Sequence, residues 1–164
     1  FWTATLPQNL ETSSVNSPAF NVFLAAQEHL GCNSLLMNGL KVGDLITISG
    51  DIHHIFPRAY LRSNGVESKT KYNQVANYIY LDTQVNKAIS DDAPCEYFGR
   101  ALRQCETKKP ELGNITDADK LKENLAENCI PESVVHMDAS NYDEFLAERR
   151  KLMAAMMRRY YMGL

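Results

Sequence analysis

Two adjacent histidines, His53 and His54, stand in the run Asp51-Ile52-His53-His54-Ile55-Phe56-Pro57, and Asn86 follows within the same region. A neutral imidazole is a good metal ligand, and one titrating near neutral pH is a good general base. On a regular strand, neighbouring residues point to opposite faces. Two such histidines serve one site only where the backbone twists or bulges, and then in different jobs: one grips a metal, the other touches substrate. Asp51 and His53 share a face by the same alternation. The carboxylate is placed to fix the His53 tautomer, or to bind a hard cation itself. The Asn86 side-chain carbonyl suits Mg²⁺, which keeps several waters and takes few protein groups beside substrate phosphate oxygens. By spacing alone, a pair of surface or satisfied core histidines stays open, and Asn86 alone reads as a helix-surface residue. His29 and His136 have no chemical neighbours in sequence and read as structural.

The elements around these residues predict mostly helix with a small β piece in the middle. Ser17-Pro18 reads as an N-cap with Pro at the first helical position, opening a helix that Gly31 stops. Leu35-Leu36-Met37 reads as a short helix, and 41–49 is ambiguous between helix and strand. Asp51 to Phe56 reads as a strand that Pro57 breaks before a short helix to Leu61. Residues 64–72 read as a polar loop, opened by the turn signal Asn64-Gly65. Ala76 to Leu81 has the aromatic and β-branched content of a strand, and Asp82 or Thr83 caps a helix to about Ser90. Further helices are expected from Asp92-Ala93-Pro94 to about Cys105 and from Thr116 to about Asn128. Ser140 and Asp143 read as an approximate capping box for a last helix to about Tyr161. Its Phe145, Leu152, Met156 and Tyr160 recur at helical spacing, widened by Met153 and Met157, and read as a core stripe.

A chain of 164 residues suits a single domain, and 45% apolar with 23% charged residues is ordinary for a globular protein. No apolar run is long enough to span a bilayer and no signal peptide is visible, so a cytoplasmic protein with no membrane partner is expected. The chain begins Phe1-Trp2 rather than Met, which reads as a fragment of a longer protein or a trimmed chain. Cys32, Cys95, Cys105 and Cys129 are scattered with no C-x-x-C pair, so they read as reduced, mostly buried thiols, with no structural zinc expected. The net charge of −3 does not advertise a nucleic-acid binder. Its distribution is uneven. Residues 106–148 hold eleven acids and four lysines, 149–164 hold five basic residues and no acid, and 51–90 hold five basic residues against three acids. The segment bearing the histidines is thus mildly basic inside an acidic chain. The cluster Arg149, Arg150, Lys151, Arg158 and Arg159 reads as a partner of the acidic stretch before it rather than as a DNA contact.

The order Asp51-Ile52-His53-His54-Ile55-Phe56-Pro57, then Asn77-Tyr78-Ile79-Tyr80-Leu81, then Asn86-Lys87-Ala88-Ile89-Ser90 resembles the HNH, or ββα-metal, endonuclease family. The HNH domain of the RNA-guided CRISPR nuclease has a similar order. There a His-Ile-x-Pro strand is followed by one Asn, nine residues later a second, then a Ser. The likeness is closer to the C-terminal HNH module of GmrSD-type, modification-dependent restriction proteins, a group that includes phosphorothioate-sensing anti-phage effectors. It extends over 17–164 through the Ser17-Pro18 helix, the Ser90-Asp91-x-Ala-Pro94 segment and the closing Phe145-Leu-x-x-Arg-Arg helix, although it is most specific over 51–94.

That resemblance implies one domain over 1–164, an α+β fold in which helical flanks (17–49 and 92–162) surround a small ββα-metal core at about 50–90. It implies a metal-dependent DNA endonuclease that nicks phosphodiester bonds in restriction of foreign or phage DNA, leaving 5′-phosphate and 3′-hydroxyl ends. His54 would be the general base. His53 and Asn86 would hold one Mg²⁺ or Mn²⁺, with Asp51 as further ligand or as support for His53. Asn77 would bridge the loop between the strands. Arg58, Arg62, Lys69, Lys71 and Lys87 would contact phosphates, which position DNA without reading its sequence. The third family letter is Asn here rather than His. A single such site cuts one strand, so a double-strand break needs repeated nicking or a homodimer. Recognition of modified DNA would belong to an N-terminal nucleotide-hydrolysing sensor domain outside this chain, which itself has no Walker-type glycine-rich motif. Two other readings stay open: a catalytically silent HNH fold that binds DNA or serves assembly, and a nuclease acting on RNA or single strands.

Overall fold

Capping chemistry starts several helices where the sequence places it. The computed structural model of the protein describes residues 1–48 and 51–164. The chain runs α1 (Thr5–Asn9), α2 (Pro18–His29), α3 (Val42–Ile48), β1 (Ile52–His54), α4 (Arg58–Ser63), α5 (Lys69–Tyr72), β2 (Tyr78–Tyr80), α6 (Thr83–Ile89), α7 (Pro94–Thr107), α8 (Ala118–Glu127) and α9 (Tyr142–Met162). Ser17 caps α2 through its Oγ, which accepts from the Phe20 N–H at 3.3 Å, and Pro18 occupies the first turn. Asp82 caps α6 by accepting from the Gln84 and Val85 N–H groups, and Asp117 caps α8 through Lys120. The architecture is α+β, dominated by helices. Among the described residues the sheet has two antiparallel strands, with Ile52 opposite Tyr80, His53 opposite Ile79 and His54 opposite Tyr78. No helix among those residues is long and apolar enough to cross a membrane.

Several local expectations are corrected. Leu35-Leu36-Met37 is not helical. Asn124 accepts the Leu36 N–H on Oδ1 at 2.7 Å and donates to the Ser34 carbonyl, so the segment's polar groups bond across to α8 instead of along a helix. Leu36 itself has φ +65°. Gly113 packs over this turn, and a Cβ there would meet the Leu36 carbonyl oxygen at 1.9 Å, which only glycine avoids. The ambiguous 41–49 segment forms α3, while its end at Ser49 lies outside the described residues, as does Gly50 at the edge of the expected core. The 64–72 segment is not all loop, since α5 closes it. Both strands are shorter than expected because Asn77 diverts the ladder: its Oδ1 takes the Phe56 N–H at 2.8 Å, and residues Val75–Asn77 turn as 3₁₀. The capping box before α9 is Asp138 with Asn141, not Ser140 with Asp143.

Helix α9 is the spine. Its buried face carries Tyr142, Phe145, Leu146, Arg149, Met153, Ala154, Met156 and Met157, whereas Leu152 turns outward. Phe145 and Tyr142 pack with tilted rings against Phe56, with centroids 4.9 and 5.2 Å apart, so the motif segment is anchored on α9. In the middle of this apolar face sits Arg149, only 1% exposed. Its Nη1 donates to the carbonyls of Ala76 (2.9 Å) and Tyr78 (2.7 Å). Its Nε and Nη2 both donate to the Asn128 carbonyl, and its guanidinium lies 6.0 Å from the Phe23 ring centroid. Burial pushes its pKa down to about 10, which leaves it charged at neutral pH. The expected pairing of the basic cluster with the acidic stretch reduces to Lys151 with Glu148 among the described residues. The cysteines are free thiols, with Cys32, Cys105 and Cys129 buried.

Replacing Arg149 with Ala strips three carbonyls of their donors and opens a cavity. We expect a loss of about 3–5 kcal/mol in urea unfolding, against a change within about 0.5 kcal/mol for exposed Arg158→Ala. Equal midpoints for the two variants would contradict this role of Arg149.

Candidate functional site

The site grows from the short sheet. β1 carries His53 and His54, and its partner β2 leads through the Asp82 cap directly into α6, which carries Asn86 and Lys87. Proline 57 ends the strand segment and opens α4, which brings Arg58 to the same place. A cleft of about 530 Å³ results, lined by Ile52, His53, His54, Pro57, Arg58, Ala59, Asn86, Lys87, Ser90 and Asp91. Strand alternation would set the two histidines on opposite faces. Both residues nonetheless line the cleft.

Behind the wall, Asn77 is fully buried and clamps the long connection between the strands. Its Oδ1 accepts from the Phe56 N–H, and its Nδ2 donates to the carbonyls of Phe56 (3.1 Å) and Tyr72 (3.2 Å). The Tyr97 hydroxyl donates to the Ile55 carbonyl from α7. The motif backbone at Ile55 and Phe56 is thus held from two sides, just past the histidines.

The imidazoles differ in surroundings. The His54 Nε2 bonds the Asn73 side-chain oxygen at 2.8 Å, and its ring meets Tyr78 edge-on, with centroids 5.5 Å apart and planes at 88°. Burial lowers its pKa below the ordinary 6.5. The Asn73 bond opposes that, and the charges of Arg58 and His53 add to it. Burial also lowers the pKa of His53, opposed by the charge of Asp51. Both rings are therefore neutral at neutral pH, the state in which an imidazole can bind a metal or accept a proton. Within the described residues neither the His53 ring nor the Asn86 amide has a hydrogen-bond partner, so both have donor atoms free at the cleft. Among the same residues, no three His, Cys, Asp or Glu side chains form a metal cage.

Of the residues singled out in sequence, His53, His54, Asn86, Arg58 and Lys87 share the cleft, and Asn77 stands behind it. Asp51 is exposed and acts on His53 through its charge. Arg62 lines a neighbouring depression with Ser63 and Glu67. Lys71 faces another, with Arg150 and Tyr142, and Lys69 lies outside the cleft on α5. Sequence reasoning missed Asn73, and it quoted Ser90 and Asp91 for the resemblance without assigning them to the cleft they line. Asn73 follows the 64–72 stretch read as a polar loop and falls in no expected element. Ser90, with φ +51° at the end of α6, gave no signal beyond its place in the motif. No protein family, curated protein or solved structure matches the chain.

The lowered histidine pKa values make a stability statement. Below pH 6.5 the unfolded chain takes up protons that the folded chain resists, so the unfolded state binds more and stability falls. The contribution is full above the ordinary value and is lost as pH drops through the lowered folded one. Thermal unfolding between pH 7.5 and 5 is expected to lose more stability in the wild type than in His53→Gln/His54→Gln. An identical pH slope in both would show that the folded state does not resist protonating this pair.

Proposed function

We propose that the chain is an HNH-type, metal-dependent endonuclease that nicks DNA. The observation that carries this reading is the convergence of His53, His54 and Asn86 on one cleft whose rim holds the cations Arg58 and Lys87. A buried clamp residue, Asn77, sits where the resemblance requires one. The β1, β2 and α6 order supports a ββα core of the same kind.

His53 and Asn86 would hold one Mg²⁺ or Mn²⁺. One imidazole and one amide oxygen fit an ion that keeps its waters and shares phosphate oxygens, and neither group has a hydrogen-bond partner among the described residues. Such an ion supplies Lewis-acid stabilisation of the leaving oxygen. Arg58 and Lys87 hold the phosphodiester backbone by charge. His54, neutral through burial, takes a proton from a water as the water oxygen bonds to phosphorus. The bond from phosphorus to the 3′ oxygen breaks, that oxygen leaves with the electron pair, and it is protonated by solvent. The products carry a 5′-phosphate and a 3′-hydroxyl. A role in restriction, a homodimer for double-strand cuts and an upstream sensor domain belong to the same reading.

Supercoiled plasmid with Mg²⁺ or Mn²⁺ tests it. Open-circular product is expected with the wild type, none with EDTA, and a rate lower by about 100-fold or more with His54→Ala. Folded, metal-loaded protein that binds plasmid without nicking it would instead favour a silent DNA-binding module. Cleavage of RNA or single strands alone would move the substrate class.

A further inference from the structure

A base works only if the right nitrogen faces the reacting water. His54 shares its cleft wall with His53, yet the contact that decides its orientation comes from outside the motif. The Asn73 Oδ1 lies 2.8 Å from His54 Nε2. A carbonyl oxygen only accepts, so Nε2 is the protonated nitrogen and the lone pair is left on Nδ1. Asn73 does not line the cleft, whereas His54 does. The bonded nitrogen thus faces a residue outside the cleft lining.

The partner is itself held firmly. Asn73 follows α5 directly, its N–H bonded to the Lys69 carbonyl at 2.9 Å. The Tyr142 hydroxyl, from α9, donates to the Lys71 and Tyr72 carbonyls, and Asn77 donates to Tyr72 as well. On the next residue, the Gln74 side chain donates to the Thr70 carbonyl and accepts from Arg150. The α5 turn is therefore tied to the spine helix and to the buried clamp, while Tyr78 packs edge-on against the His54 ring from β2. Two fixed contacts, one polar and one aromatic, leave the imidazole a single orientation.

We infer that Asn73 is a positioning residue that locks His54 as the Nε2–H tautomer and turns its Nδ1 to the substrate cleft. As far as it concerns catalysis, the inference rests on the nuclease reading above. As far as it concerns the tautomer, it stands on the geometry alone. Sequence gave no hint of it, since α5 falls in the stretch read as loop.

Long-range ¹H–¹⁵N correlation on the full ¹⁵N-labelled chain at pH 8, where the ring is neutral, reads the tautomer directly. Wild type and Asn73→Asp, which keeps an acceptor oxygen, are expected to hold His54 as Nε2–H. Asn73→Ala is expected to give a mixture of tautomers while the rest of the amide spectrum stays in place. In plasmid nicking, kcat of Asn73→Ala is expected to fall about tenfold with KM unchanged, and Asn73→Asp to recover it. An Nδ1–H wild type, or an Asn73→Ala spectrum that stays purely Nε2–H, would overturn the inference. If the tautomer follows Asn73 but the wild type nicks nothing, the positioning role holds and the nuclease reading is the one that fails.

Discussion

One buried positive charge organises this fold. Arg149 lies in the core without a carboxylate partner among the described residues, a placement that is costly unless every donor is used. Here the guanidinium fork meets three backbone carbonyls. Asn128 is the C-cap of α8, so its carbonyl sits at the negative end of a helix and welcomes a cation. The Ala76 and Tyr78 carbonyls flank Asn77, the residue that clamps the motif strand. One side chain thus joins the spine helix, the end of α8 and the start of β2. The two histidines stand on the strand paired with that segment, and their position follows from the same junction.

The chemistry-bearing residues sit on very little regular structure, since each strand is three residues long. A two-stranded sheet this short is not stable by itself. Its rigidity comes from aromatic packing of Phe56 on Tyr142 and Phe145, and from side-chain hydrogen bonds that replace ladder bonds at Asn77 and Tyr97. On this short pairing the adjacent histidines both line one cleft. The neighbours of the two rings then divide their roles. Among the described residues His53 has no hydrogen-bond partner and feels the charge of Asp51, whereas His54 is bonded to Asn73.

Much of this was legible in the sequence where the signal was local. Ser17-Pro18, Asp82 and Asp117 mark helix starts because capping is a matter of adjacent residues. His53, His54 and Asn86, singled out by their order, line one cleft, and Asn77 is buried behind it. Arg149 was in principle visible, because it falls four residues from both Phe145 and Met153 on the apolar face of α9. It was read instead with its charged neighbours. Leu36 and Asn73 were not legible, since their conformations follow from partners distant in sequence: Asn124 for the first, and Tyr142 for the segment carrying the second. Propensity carries no information about such bonds.

The central claim is that His53 and Asn86 are the protein's grip on a divalent ion beside the base His54. Anomalous diffraction from crystals of the chain soaked in Mn²⁺ tests that claim most directly. The account predicts a single strong peak in the cleft, bonded to a nitrogen of His53 and the side-chain oxygen of Asn86, and lost in an Asn86→Leu crystal. A cleft without a peak at saturating Mn²⁺, or a peak held by other residues, would contradict it.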